Sequence, residues 1–172
     1  MISLRRAMQV DAWRLAEAGN HRAIADSMIS MPSPFLPADA EAWIALTLER
    51  SQVDGYVIAD LEGSVVGAAE LRDIDLQHRQ AEASFWVTPA AWGRGYASAA
   101  LLQLTRFAFE RHALNRVYAY HMVRNPGSGR VMAKCGFQLE GSLRQRVWKL
   151  GQAEDVMLWS RLAGDPLPAC PG

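Results

Sequence analysis

The segment Trp92-Gly93-Arg94-Gly95-Tyr96-Ala97 sets the chain's most restrictive demand. Residues 80–87 before it read as a strand that Pro89 stops. Residues 95–112 after it carry Ala97, Leu101, Leu104, Thr105 and Ala108 at the spacing of one buried helix face. A strand must therefore run into a buried helix through a glycine-containing bend. Several backbone N–H groups at such an entrance have no partner inside the helix, and the positive end of the dipole faces outward. An anion is their natural occupant. Glycine lets a pyrophosphate approach the main chain closely, and Arg94 adds a charged donor from the side. A lone Gly-x-Gly also serves as a plain tight turn.

The rest of the chain supplies the frame. Residues 2–6 read as a first strand, and Asp11 caps a short helix through Glu17 that ends at Gly19-Asn20; a second helical piece covers 21–29. Pro32, Pro34 and Pro37 make 31–37 a rigid loop with Phe35 exposed, before Asp39 starts an amphipathic helix through Arg50. Residues 55–61 and 65–72 form a hairpin around Glu62-Gly63-Ser64, with 80–87 as its third strand. Beyond the glycine bend come a strand at 117–123, a helix at 126–135 stopped by Gly136, and strands at 137–148 and 152–161 around Leu150-Gly151. This order predicts an α+β fold with a mixed, mostly antiparallel seven-stranded sheet flanked by helices.

Length and charge narrow the partners. A chain of 172 residues, half of them hydrophobic, predicts one domain over 1–163, with the Pro-rich 164–172 as a flexible tail. Eighteen basic and eighteen acidic residues cancel, so the broad basic footprint of a nucleic-acid binder is missing. Cys135 and Cys170 form no disulfide framework and fit a reducing cytoplasm; His21, His78, His112 and His121 lack ligand spacing, so no metal is expected. Arginines within residues 1–8 and apolar runs well short of ~20 residues argue against an export signal and a membrane span. The Lys-Ser/Thr of a Walker loop and the third glycine of a dinucleotide fingerprint are both absent.

A second motif sharpens the first. Asn125-Pro126-Gly127-Ser128 lies at the end of the next strand, followed by Lys134-Cys135-Gly136-Phe137. In this order the residues resemble the GNAT superfamily, specifically the branch of ribosomal-protein N-terminal acetyltransferases (RimJ/RimL-like), and the resemblance extends over nearly the whole chain. Pro34-Phe35-Leu36-Pro37 with Asp39, Glu41 and Trp43 is similar to that branch's substrate-side loop and helix; Glu140-Gly141 and Asp155 are similar to its last two strands. Trp92 stands where the broad superfamily has Gln or Arg. Gly129 costs its helix about 1 kcal/mol relative to Ala.

The resemblance implies a GNAT-type fold splayed between strands four and five, with acetyl-CoA as cosubstrate. It places the pantetheine arm along Phe85, Trp86 and Val87, and the pyrophosphate on Trp92, Gly93, Arg94, Gly95, Tyr96 and Ala97, with Asn125, Ser128 and Lys134 beyond. It gives the Val87 N–H an oxyanion to stabilise and Ser128 the departing thiolate to protonate. Asn125 holds a pantetheine amide, caps the following helix, or does both. Glu82 is the first candidate general base, directly or through water, and Glu140 the second. The expected acceptor is a primary amine. A peptide or protein α-amine, with pKa ~7.7–8.0, needs less help from a base than a lysine near ~10.4. A small amine (polyamine, aminoglycoside or other metabolite) and a non-catalytic acyl-CoA sensor are the alternatives. Trp148 and Phe35 are candidates to line the acceptor site, and the C-terminal hairpin leaves room for a homodimer.

Overall fold

The computed structural model describes residues 1–166 and 168. Its strands are β1 (Ser3–Arg6), β2 (Asp54–Ala59), β3 (Val65–Asp75), β4 (Gln80–Val87), β5 (Arg116–Met122), β6 (Gln138–Lys149) and β7 (Gln152–Leu162). They form one sheet in the order β1-β2-β3-β4-β5-β7-β6. Every neighbouring pair is antiparallel except β4 and β5, which run parallel because a helix crosses between them. The helices are α1 (Ala12–Gly19), α2 (Arg22–Ser27), α3 (Pro37–Glu49), α4 (Tyr96–Arg111) and α5 (Pro126–Lys134).

Local chemistry accounts for the frame. Asp60 closes the β2–β3 turn by accepting from the N–H groups of Glu62 and Ser64 at 3.0 and 2.9 Å. On one face of the sheet, Leu101, Leu104 and Ala108 of α4 and Met132 of α5 pack on Leu71, Ala81, Ala83 and Val117. Each fully buried leucine there contributes about 1.5–3 kcal/mol. On the other face, Leu15 of α1 and Ile44 of α3 pack on Val57 and Ala68. The layers are thus α4 and α5, the sheet, then α1 and α3.

Three local expectations change. The Asp11 side chain does not cap α1: its carboxylate takes two bonds from Arg5, at 2.7 and 2.6 Å, and one from the Met8 N–H at 2.9 Å, which closes the 3-10 turn Gln9–Asp11 ahead of the helix. Helix α3 starts at Pro37, whose fixed φ suits a first helical turn, and Asp39 sits two residues inside and accepts from the Leu36 N–H at 2.8 Å. Phe35 is buried. Asn20 accepts its N–H at 3.2 Å and its ring meets Trp86 edge-on at 6.3 Å between centroids, so the proline loop folds inward. Of the expected tail, Asp165 closes a turn by accepting from the Leu162 N–H at 2.8 Å. Residue 167 and residues 169–172, including Cys170, lie outside the described residues.

Candidate functional site

The parallel pairing of β4 with β5 covers only Gln80–Glu82 against Arg116–Tyr118. Beyond it the two strands separate. The Thr88 N–H donates to Val66 O at 2.8 Å, so along β4 the even-numbered amides turn toward β3. The odd-numbered ones, at Phe85 and Val87, turn toward the gap that β5 has left. The Val87 carbonyl, on that side, accepts from Trp92 Nε1 at 2.7 Å, which ties the glycine loop to the strand end.

The loop completes a groove of about 460 Å³. Gly93 and Gly95 take φ of 76° and 74°, in the left-handed region, and a Cβ built at either meets nothing within 4 Å. Glycine is therefore required by conformation, and the space before the first turn of α4 is open to a ligand. The groove takes in Phe85, Trp86, Val87, Trp92, Gly93, Gly95, Tyr96, Ala97, Asn125, Ser128 and Lys134. Arg94 is exposed on the same loop and does not line it. Arg130 does. It escaped the sequence reading although its i, i+4 relation to Lys134 puts both cations on one helix face.

At the start of α5 the Asn125 side chain is the helix cap, with Oδ1 accepting from the Ser128 N–H at 3.4 Å. Its Nδ2 donates to Ser128 Oγ at 2.9 Å, which leaves the hydroxyl proton free to be given elsewhere. His121 lies buried beneath this turn. Its Nδ1 contacts Met122 O at 2.9 Å, and a Cβ at residue 129 would stand 2.8 Å from Nε2. Gly129 is thus the space the imidazole occupies, and the helix cost of a glycine there accompanies a packing need. Cys135, just past the end of α5, is buried, which pushes its thiol up to about 11 and disfavours the thiolate.

On the α1–α3 face, Glu70 and Arg72 of β3 lie in register with Ser84 and Glu82 of β4. Glu82 accepts from the Arg72 guanidinium, which commits the carboxylate. Glu140 is equally engaged. Arg116 donates to both its oxygens, at 2.5 and 2.6 Å, and the Ser160 hydroxyl to one, at 2.6 Å, holding the acid down at about 2. Arg116 opens β5, at the end opposite the splay, so Glu140 is removed from the candidate bases. Trp148 is 76% exposed on the edge strand β6 and lines none of the cavities around β4.

Two further cavities adjoin the groove. A narrow one of about 30 Å³ passes through the splay between Glu82, Ser84, Phe85, Tyr120, His121 and Ser128. The other, about 280 Å³, lies between α3 and the sheet. Phe85 and Met28 border all three, so groove, passage and cavity meet at one point of β4.

An anion-shaped helix entrance, a splayed parallel pair and a capped serine converge on one strand, and residues 2–138 match the family model described as the acetyltransferase (GNAT) domain. The chain belongs to the GNAT acetyltransferases. The spermidine N(1)-acetyltransferase of Vibrio cholerae is 29% identical over 101 residues, 59% of this chain and 58% of that protein. The ribosomal-protein-serine acetyltransferase of Escherichia coli is 30% identical over 101 residues, 59% of this chain and 56% of that protein. The chain spans a little over half the length of the curated relatives it matches. A crystal structure of the V. cholerae spermidine N-acetyltransferase with CoA and spermine superposes with a TM-score of 0.84 over 94% of this chain and 95% of that one, at 24% identity. That likeness shows a shared GNAT fold, including the parallel β4–β5 pair within a seven-stranded mixed sheet.

Within the GNAT frame, Glu70 is the side chain that sequence reading missed most clearly. It is largely buried, accepts from Trp43 Nε1 at 2.6 Å, and has an Arg72 nitrogen only at 3.8 Å. Burial pushes its carboxyl up; the Trp43 bond and Arg72 oppose this, and Glu82 and Asp73 add to it. No local motif marks Glu70, because α3 and β4 build its surroundings.

Proposed function

We propose that this protein transfers the acetyl group of acetyl-CoA to a primary amine by direct attack within a ternary complex. The carrying observation is the conjunction at β4: unpaired odd-numbered amides at the splay, with the glycine entrance of α4 and Ser128 on the same groove. The cradle fits a diphosphate, because Gly93 and Gly95 hold the main chain in a conformation that leaves open space before the N–H groups. Arg130 and Lys134 are placed to meet its negative charge from α5.

In this reading Phe85 and Val87 present strand-like donors and acceptors to the pantetheine amides, as an added strand would require. The Val87 N–H donates to the carbonyl oxygen as it gains charge. Ser128, its oxygen already accepting from Asn125, gives its proton to the departing thiolate. The demand is modest, since a thiol of pKa ~8.5 is already a fair leaving group.

The acceptor we favour is an α-amine of a peptide or protein. A small amine is the second reading, supported by similarity to spermidine acetyltransferases. The test is free-thiol release from acetyl-CoA with a panel of peptides and small amines, beside calorimetric titration of acetyl-CoA. Binding followed by amine-dependent thiol release is expected. Binding without turnover on any amine would mean a sensor, and no binding would remove the whole reading.

A further inference from the structure

The cavity between α3 and the sheet has a chemistry the groove lacks. Its walls are Leu15, Met28, Met31, Phe35, Trp43 and Trp86, and Glu70 is the carboxylate set among them on the β3 floor. At about 280 Å³ it sits at the small end of ligand sites, near the ~300 Å³ lower bound of that class. It opens at Ser84 and Phe85 onto the meeting point of passage and groove.

Resting on the acetyl-transfer reading, we propose that Glu70 receives the acceptor's ammonium and takes its proton, and that the primary amine is presented on a small, uncharged, apolar group, as the first residue of a peptide or a free amine presents it. Glu82 is held by Arg72 and Glu140 by Arg116 and Ser160, whereas Glu70 accepts one hydrogen bond, from the neutral Trp43 indole, and has the Arg72 guanidinium as a looser ion pair at 3.8 Å. An ion pair formed there is shielded from water, so the incoming cation gains more from it than at the surface. Apart from Asp39, a second or third ammonium on the same molecule meets methionines and aromatic rings. Desolvating it without a partner is unfavourable, which turns the cavity against polyamines. Asp39, the other carboxylate on the wall, lies in the first turn of α3, where it accepts from the Leu36 N–H at 2.8 Å and the helix end favours its negative charge.

The protons balance. The ammonium gives one proton to the Glu70 carboxylate, and the free amine nitrogen bonds to the thioester carbonyl carbon. As the carbon–sulfur bond breaks, the Ser128 hydroxyl gives its proton to the thiolate, and the nitrogen's second proton replaces it on the Ser128 oxygen. Glu70 then releases its proton to solvent. The net products are the amide, CoA thiol and one proton.

The groups facing Glu70 are Trp43 and Asp39 from α3, Arg72 and Asp73 from β3, and Glu82 from β4. Burial holds its carboxyl above the usual range, so kcat/KM should fall below a limb placed higher than that of an ordinary glutamate. The experiment compares phenethylamine, a tripeptide with N-terminal leucine and spermidine on the wild type, Glu70→Gln and Trp43→Phe, with acetyl-CoA titrated by calorimetry on each.

The first two probes should exceed spermidine at least about tenfold in kcat/KM, and their ratio tells a peptide acceptor from a free amine. Glu70→Gln should lose about a hundredfold on the preferred probe, keep acetyl-CoA affinity and lose the acid limb. Trp43→Phe removes a bond that favours the carboxylate, so its limb should move to higher pH. A preference for spermidine, or an acid limb unchanged in Glu70→Gln, overturns the proposal while acetyl transfer stands. Failure of the wild type to bind acetyl-CoA sinks the transfer reading itself.

Discussion

The groove and the apolar cavity meet at Phe85, yet they are built from different materials. Main-chain amides and two left-handed glycines of one strand–loop–helix unit shape the anion end of the groove, and the start of α5 closes its other side. The cavity is made by side chains from α1, the proline loop, α3, β3 and β4, residues that only the tertiary fold brings together. A site made of backbone leaves a short, readable pattern, and it serves any chain that binds the same anion. A site made of distant side chains leaves no pattern, and it is where specificity resides. Cofactor and acceptor recognition should therefore fail independently under mutation.

The largest effect should come from Gly95→Asp. It places a negative charge at the helix entrance and forces a non-glycine residue to φ 74°, a strain of about 1–3 kcal/mol before repulsion is counted. Acetyl-CoA affinity measured by calorimetry should fall a hundredfold or more, while the cavity residues keep their packing. Loss of less than threefold would break the comparison on the groove side.

Gly129→Ala comes next. Helix propensity alone favours alanine by about 1 kcal/mol, but the new methyl would stand 2.8 Å from the buried His121 ring. Overpacking of this kind costs about 1–3 kcal/mol, so the urea midpoint should fall. A rise would mean that His121 yields easily and that the passage through the splay is loosely packed.

Ser128→Ala should lower kcat several-fold, with acetyl-CoA affinity nearly intact, because the thiolate leaves without much help. An unchanged kcat under chemistry-limited conditions would take Ser128 out of the mechanism. The smallest effect concerns Glu140. Its acid is lowered from 4.5 to about 2 by Arg116 and Ser160, so the stability it contributes is present above pH 4.5 and is lost as pH falls toward 2. Its side chain is 35% exposed, so solvent screens the pair and the effect stays small. Urea midpoints of wild type and Glu140→Gln should differ slightly at pH 6 and converge near pH 2. A gap that widens on acidification would reverse the assigned linkage.

Much of the fold was legible because periodicity and turn chemistry are local. Residues 80–87 were placed without error, and the hairpin around Leu150-Gly151 and the stop at Gly136 follow from glycine at φ 78° and 77°. What failed was set by competition between elements. Asp11 reads as a cap until Arg5, on the neighbouring strand, claims it. Phe35 reads as exposed in a proline loop until Asn20 and Trp86 draw it inward. In the site, the glycine loop and the Asn-x-x-Ser turn lie on one groove as expected. Glu82 lies on β4, the last residue of its parallel pairing with β5, but an arginine three positions short of β3's end holds it. Glu70 was invisible, since nothing in Ala-Ala-Glu-Leu-Arg tells which face of β3 will meet Trp43.

The most direct measurement is a crystal structure of this protein with bound CoA. The diphosphate should lie against the N–H groups that follow Gly93, the pantetheine should run along Phe85 and Val87 within the splay, and the sulfur should point toward Ser128. A diphosphate seated elsewhere, with β4 and β5 closed against each other, would contradict the account.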